Sequence, residues 1–362
     1  MADTGTGHRS IPERTLRRPE RWFAAGTFLI LLVAALRLAS AFFLPVIASG
    51  LLALLLAPPV RWLSKRGLRP GVAAALVMLG LVAGSGALMF SLARPAAAWL
   101  ARAPATMQQA QDKLQKLAAP FVNLQRTAAK VQEVTSAPSD GTKRPTKVEM
   151  APPGLLASVP GTTIGVIGAI SSVIFLTFFL LAAGERFSEQ LGDVMPERYR
   201  RQMIDGLRDM QAQMSRYLST SALIRASLGC ATWILLKVVG LPNPALFGVM
   251  AGVLNFIPYL GSLAMLLIIG VAALVTFDST SQVLLTMGAF FALSIVEGNV
   301  VTPMLLGHRL PLNAVAIFLG LLFWGWIWGI TGAVLAVPLT VLIKVVADRV
   351  KVLEPMGVLL DS

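Results

Sequence analysis

Five long apolar runs, at 22–39, 41–60, 71–99, 161–184 and 221–240, constrain this chain more than any other feature. A helix needs about 20 apolar residues to cross the hydrocarbon core of a bilayer, and each run meets or approaches that length. Of the 362 residues, 56% are hydrophobic and only 14% are charged, whereas soluble domains carry about 25% charged residues. A water-soluble fold of this size has nowhere to hide so much apolar surface. The expected class is therefore an all-α polytopic membrane protein.

The charge pattern agrees. The net charge is +13, and the basic residues cluster beside the apolar runs. Arg9, Arg14, Arg17, Arg18 and Arg21 precede the first run; Arg61, Lys65, Arg66 and Arg69 separate the second from the third. This is the positive-inside pattern of cytoplasmic loops. A nucleic-acid partner is not expected, because no groove-reading or base-stacking face accompanies the charge. The single cysteine, Cys230, permits no intrachain disulfide and reads as a small buried hydrophobe. No metal-ligand cluster, nucleophile–base pair or phosphate-binding glycine loop appears, so the expectation is no enzyme, no cofactor and no ATP-driven pump.

Along the chain, residues 1–20 read as a disordered basic cytoplasmic tail and 21–100 as N-terminal transmembrane helices, the first two forming a hairpin. Residues 101–155 read as an extramembrane helical insert and linker. Met107, Ala110, Leu114, Leu117, Phe121, Leu124, Ala128 and Val131 recur by three and four, the pattern of a helix packing on a partner or lying on a surface. Pro120 is expected to kink or break it. Residues 156–220 hold a crossing and a cytoplasmic amphipathic helix along the membrane surface, with Glu197–Arg201 and Asp205–Arg208 as charge pairs. Residues 221–350 form a C-terminal bundle, and 351–362 a tail. The total is about six to eight membrane helices, with both termini cytoplasmic.

The C-terminal bundle differs from the rest because Pro, Gly and Asn interrupt its apolar stretches. Breaks are expected at 255–261, at 297–303 and at 324–329, since one straight helix over 311–346 would be roughly 50 Å long against a core of about 30 Å. Leu241-Pro242-Asn243-Pro244-Ala245 echoes Leu310-Pro311-Leu312-Asn313-Ala314, which suggests two units of opposite orientation. Whether 244–277 and 311–346 are re-entrant or fully spanning stays open. Pro258 and Pro303 each remove a helical N–H and are expected to free the carbonyls of Leu254 and Asn299. Such carbonyls are tolerated in a bilayer where they line a wet cavity.

Between residues 220 and 345 the only acids are Asp278 and Glu297. Asp278 belongs to a short polar turn. Glu297 lies deep in an apolar run, where an acid either is hydrogen-bonded structurally or takes part in proton or cation movement. Asn255, Pro258, Tyr259, Gly261, Asn299, Pro303, Trp324 and Gly325 are the candidate pathway residues beside it. Arg225 and Lys237 read as residues snorkelling to the two interfaces. Trp324, Trp326 and Trp328 read either as an interfacial belt or as packing around a break.

These segments resemble a known family. Ile257-Pro258-Tyr259-Leu260-Gly261, the stretch Glu297-Gly298-Asn299-Val300-Val301-Thr302-Pro303 with Gly307, and Phe323 to Ile330 with Leu335-Ala336-Val337-Pro338-Leu339 look like the autoinducer-2 exporter, or PerM-like permease, family. The resemblance is specific over about 185–346. This chain departs from it at Ser262 and Leu263, where many relatives carry a further proline, and at Gly298, which separates the acid from the asparagine. The resemblance implies a multi-pass bacterial inner-membrane protein that forms homo-oligomers, pentamers in particular. It also implies export of a small polar solute such as autoinducer-2, or sodium–proton exchange in other members. The expected function is a secondary transporter coupled to a proton or sodium gradient through Glu297. The alternatives are a cation/proton antiporter and a non-transporting membrane scaffold.

Overall fold

The computed structural model describes residues 18–133, 159–184, 197–306 and 313–347. Residues 1–17 of the first tail, the second tail at 351–362, the linker at 135–153 and the echo's second copy at Leu310–Leu312 lie outside these residues; the last three residues of the first tail, 18–20, open a helix where disorder was expected.

All regular structure in the described residues is helical. In chain order the helices are α1 (Arg18–Leu38), α2 (Ser40–Lys65), α3 (Pro70–Glu133), α4 (Val159–Ala183), α5 (Glu197–Val239), α6 (Pro244–Leu254), α7 (Leu260–Thr276), α8 (Thr280–Val296), α9 (Thr302–Leu306) and α10 (Ala314–Ala347). Six stretches are long and apolar enough to cross a membrane: 40–65, 70–102, 165–183, 204–239, 280–306 and 314–347. Their outward faces are rich in exposed Leu, Ile, Val and Phe, as a lipid solvent requires.

Three expectations change. The first two helices do not form a hairpin with a loop. Only Ala39 separates them, and helical bonds continue on both sides, from Ala39 N–H to the Ala35 carbonyl at 2.9 Å and from Phe43 N–H to the Ala39 carbonyl at 3.0 Å. One residue cannot reverse a helix while keeping those bonds, so the junction is an elbow. Second, α3 is a single helix of 64 residues that runs through position 120, about 96 Å in length. The crossing and the insert as far as Glu133 are thus one helix. Lys113 on its outer part donates to the Phe277 carbonyl at 3.0 Å, in the turn between α7 and α8. Third, the amphipathic segment and the crossing that follows are one 43-residue helix, α5. No proline or glycine stands between Met210 and Arg225 to interrupt the hydrogen-bond ladder. Its apolar face does not lie on lipid: Met214 and Leu218 are buried against Leu51 of α2 and Val341 and Val345 of α10.

Close backbone approach ties the C-terminal helices together. A methyl group on Gly248 of α6 would meet the Gly229 carbonyl and the Trp233 Cβ, both at 2.7 Å. Small residues at this contact let α5 and α6 pack backbone to backbone, the usual device where lipid offers no hydrophobic drive. Cys230, beside Gly229, is exposed on the outer face and not buried as expected.

The long C-terminal segment folds back on itself. Gly329 has φ 62° and ψ −141°, a conformation open essentially to glycine alone. The carbonyl of Trp324 packs against Gly332, and Gly320 lies against the Thr340 hydroxyl. In a straight helix Gly320 and Thr340 would be about 30 Å apart. Residues 314–347 are therefore a helical hairpin with its tip at Gly329. The tip packs into the concave side of the α1–α2 elbow: Trp324 and Trp328 are buried among Val33, Leu36, Phe43, Leu44 and Ile47. The Trp328 Nε1–H donates to the Leu36 carbonyl at 2.9 Å. Leu36 lies in the last turn of α1, where carbonyls lack a helical donor, so the indole supplies what the elbow removes. Trp326 points outward beneath Arg37, whose guanidinium carbon is 4.9 Å from the ring centre. The three tryptophans thus split between break-packing and an outer position.

Candidate functional site

Glu297 owes its position to a fault in its own helix. α8 ends at Val296, and residues Glu297–Val301 form a turn of π-helix before α9 resumes. The Thr302 N–H reaches the Glu297 carbonyl, five residues back, just before Pro303, which has no N–H to offer. The extra residue in the turn rotates Glu297 inward. It is 7% exposed, while Gly298, Asn299 and Val300 beside it face out. Single π-turns of this kind are frequent at functional sites.

Two other elements converge there. Along α5, Arg225 lies ten residues from Ser215, about 15 Å, and Ser215 accepts a hydrogen bond from Arg61 at the basic α2–α3 turn. That distance is half the hydrocarbon thickness. Arg225 is therefore not the free snorkelling residue expected from sequence but a paired cation in the middle of α5. Its Nη1 is 2.7 Å from Glu297 Oε1. A methyl group on Gly252 would stand 3.1 Å from the Arg225 carbonyl, so α6 runs tightly beside Arg225 and ends one turn later at Asn255. The Asn255 Nδ2 donates to Glu297 Oε2 at 3.3 Å, and its Oδ1 accepts from Ser262 Oγ at 2.6 Å. The Thr302 hydroxyl donates to Glu297 Oε1 at 2.8 Å. A carboxylate takes hydrogen bonds only as an acceptor, and here it receives three, one of them from a charged donor.

The break that supplies Asn255 and Ser262 is strained. Tyr259 has φ 60° and ψ −52°, and the Leu260 N–H bonds the Pro258 carbonyl at 2.6 Å. These are the marks of the rare γ-turn with positive φ. Only glycine fits at 261, since any Cβ there would run into the Leu254 carbonyl. The Leu254 carbonyl is not left free by Pro258, as expected; the Ile257 N–H takes it at 3.0 Å. Ile257 also packs on the Trp324–Trp328 cluster, so the first break and the C-terminal hairpin tip touch.

The candidate residues thus divide. Glu297 and Asn255 are bonded to each other, and Pro258 and Gly261 shape the break that holds Asn255. Trp324 and Gly325 sit at the break at 324–329, joined to the one at 255–261 through Ile257. Asn299 faces outward and donates to the Ile295 carbonyl of its own helix at 3.0 Å. Pro303 is exposed, and the Tyr259 ring points away, 67% exposed. Arg225, Ser262 and Thr302 were not anticipated. The signal for Arg225 was present: a deep acid demands a cation, and Gly229 one turn later marks that face of α5 as a packing face. Asp278 is a fully exposed turn residue facing Lys113 at 3.4 Å.

Discontinuous helices that meet around a largely buried ion pair in an otherwise apolar helical bundle are the architecture of the transporter class. Residues 27–351 match the AI-2E family transporter profile, and the chain belongs to that family. It is 25% identical over 334 residues to "Putative transport protein YhhT" of Escherichia coli (strain K12), covering 92% of this chain and 91% of the other. It is 28% identical over 174 residues to "AI-2 transport protein TqsA" of the same organism, covering 46% of this chain and 50% of TqsA. It is also 32% identical over 198 residues to "Putative transport protein YrrI" of Bacillus subtilis (strain 168), covering 51% and 55%. The chain is thus a membrane permease.

Proposed function

We propose that this permease is a secondary transporter that exports a small polar solute, of the kind named for TqsA, down a coupling with the proton or sodium gradient. The observation that carries this reading is the bond between Glu297 and Arg225 at the meeting of two interrupted helical segments. Glu297 is not a vacant carboxylate: Arg225 already occupies it. A proton or cation that binds Glu297 competes with the guanidinium for its charge. That exchange frees Arg225 and loosens Asn255 and Thr302, which hold the two breaks in place. Binding of the coupling ion and rearrangement of the breaks are then one event. The breaks at 255–261, 297–303 and 324–329 surround the solute, and the C-terminal bundle moves against the N-terminal helices. In this reading the protein works in the bacterial inner membrane, both termini cytoplasmic, as a homo-oligomer.

A cation/proton antiporter without an organic solute is the second reading, favoured by the same carboxylate serving two competing cations. Gradient-driven flux in proteoliposomes tests both. Glu297→Gln keeps the shape and removes the charge, and is expected to abolish coupling to an imposed pH gradient. Undiminished gradient-driven flux in that variant would remove Glu297 from the mechanism. Proton movement on adding sodium alone, with no solute present, would select the antiporter.

A further inference from the structure

We infer that the α2–α3 turn is a binding site for the headgroup of an anionic phospholipid. α2 ends at Lys65, and Gly67, with φ 97°, turns the chain into α3 at Pro70. The turn presents Lys65, Arg66 and Arg69, all exposed, and among the described residues none of the three has a carboxylate partner. Positive charge on such a turn orients a membrane protein, but orientation alone requires no fixed geometry. Here one of the cations, Arg66, is held in place. The Arg66 guanidinium carbon lies 3.7 Å from the centre of the Trp62 ring. Trp62 is 54% exposed, and an exposed indole at the end of a membrane helix sits at headgroup depth. The stack therefore holds Arg66 at the level of lipid phosphates, with its N–H edge free to bond.

The surface next to the turn supplies the other half of a lipid. The first turns of α3 bury Ala73, Ala74 and Met78, and expose Val72, Leu76 and Leu79 at 48%, 47% and 66%. These three recur by four and three, so they form one apolar ridge along α3. It begins one turn below Arg69 and runs into the hydrocarbon. A phosphate held by Arg66, Lys65 and Arg69 would have its acyl chains along this ridge. A free phosphate gains nothing from the ridge, which is why the lipid is the occupant the surface fits.

The test is binding of a fluorescent phosphatidylglycerol to the purified full chain in neutral detergent, against phosphatidylcholine with the same acyl chains. The expected result is a clear preference for phosphatidylglycerol that falls as salt is raised. Changing Arg66→Gln and Arg69→Gln together is expected to weaken phosphatidylglycerol about thirtyfold, near fivefold for each charge, with phosphatidylcholine unchanged. Trp62→Leu, which keeps every charge, is expected to weaken it severalfold. Equal binding of the two lipids by the unaltered protein, or a preference that salt does not reduce, overturns the proposal without reference to any variant. Full preference in the double variant also overturns it. Displacement of the lipid by millimolar inorganic phosphate would mark a free-anion site and overturn the lipid assignment.

Discussion

At the scale of single residues, the buried pair is a trade between desolvation and attraction. Taking a carboxylate and a guanidinium out of water costs several kcal/mol each, and their attraction returns it only when both are present. Glu297→Gln leaves Arg225 without its counter-charge and is expected to lower stability by about 3 kcal/mol. Arg225→Gln is expected to do the same, whereas the double variant recovers much of the loss because no lone charge remains. Thermal unfolding of the four proteins in detergent closes this double-mutant cycle; additive losses would show that the two side chains do not interact. A second prediction concerns Gly261. Its hydrogen is replaced at the cost of a collision with the backbone of Leu254 and Asn255. Gly261→Ala is thus expected to lose about 3 kcal/mol and to disorder Asn255, read as a lower unfolding midpoint and as lost transport.

At the scale of elements, the α10 hairpin is held by its tip. Trp328 both fills the cluster and satisfies the Leu36 carbonyl. Trp328→Phe keeps most of the ring and strands the carbonyl, an expected loss of about 2 kcal/mol. Trp326→Phe is the control: that ring is 59% exposed, and its replacement is expected to change stability by no more than about 0.5 kcal/mol. Equal midpoints for the two variants would mean that the Leu36 bond contributes nothing. The same reasoning explains why α5 and α6 act as one body, since their glycines leave no side chain between the two backbones.

At the scale of the whole molecule, the contact between elbow and hairpin tip is where the N-terminal helices meet the C-terminal bundle. If transport moves one against the other, this contact must open. With Cys230→Ser as background, cysteines in place of Leu36 and Trp328 can be bridged by a short bis-methanethiosulfonate reagent, which spans the space the indole leaves where a direct disulfide needs Cα atoms within about 7 Å. Flux in proteoliposomes is expected to stop on cross-linking and to return on reduction. Continued flux through the cross-linked protein would place the moving boundary elsewhere. The outer half of α3, resting on the α7–α8 turn through Lys113, would then be the next boundary to lock.

The amino-acid sequence by itself determined the solvent of this fold and the places where its helices fail. Apolar runs of membrane length, few charges, and Pro, Gly and Asn at 255–261, 297–303 and 324–329 are local signals, and each break lies where its residues lack a donor or permit an unusual φ. What carries no local signal was decided by the tertiary structure. Ala39 bends a helix rather than reversing it because flanking residues keep their bonds. Met214 and Leu218 turn inward rather than onto lipid because their partners are α2 and α10, each more than a hundred residues away in the chain. Above all, Arg225 reads as an interfacial residue when α5 is considered alone. Only the close packing of α5, α6 and the π-turn places it against Glu297, since the partner of a buried charge is chosen by the neighbours that exclude water from it.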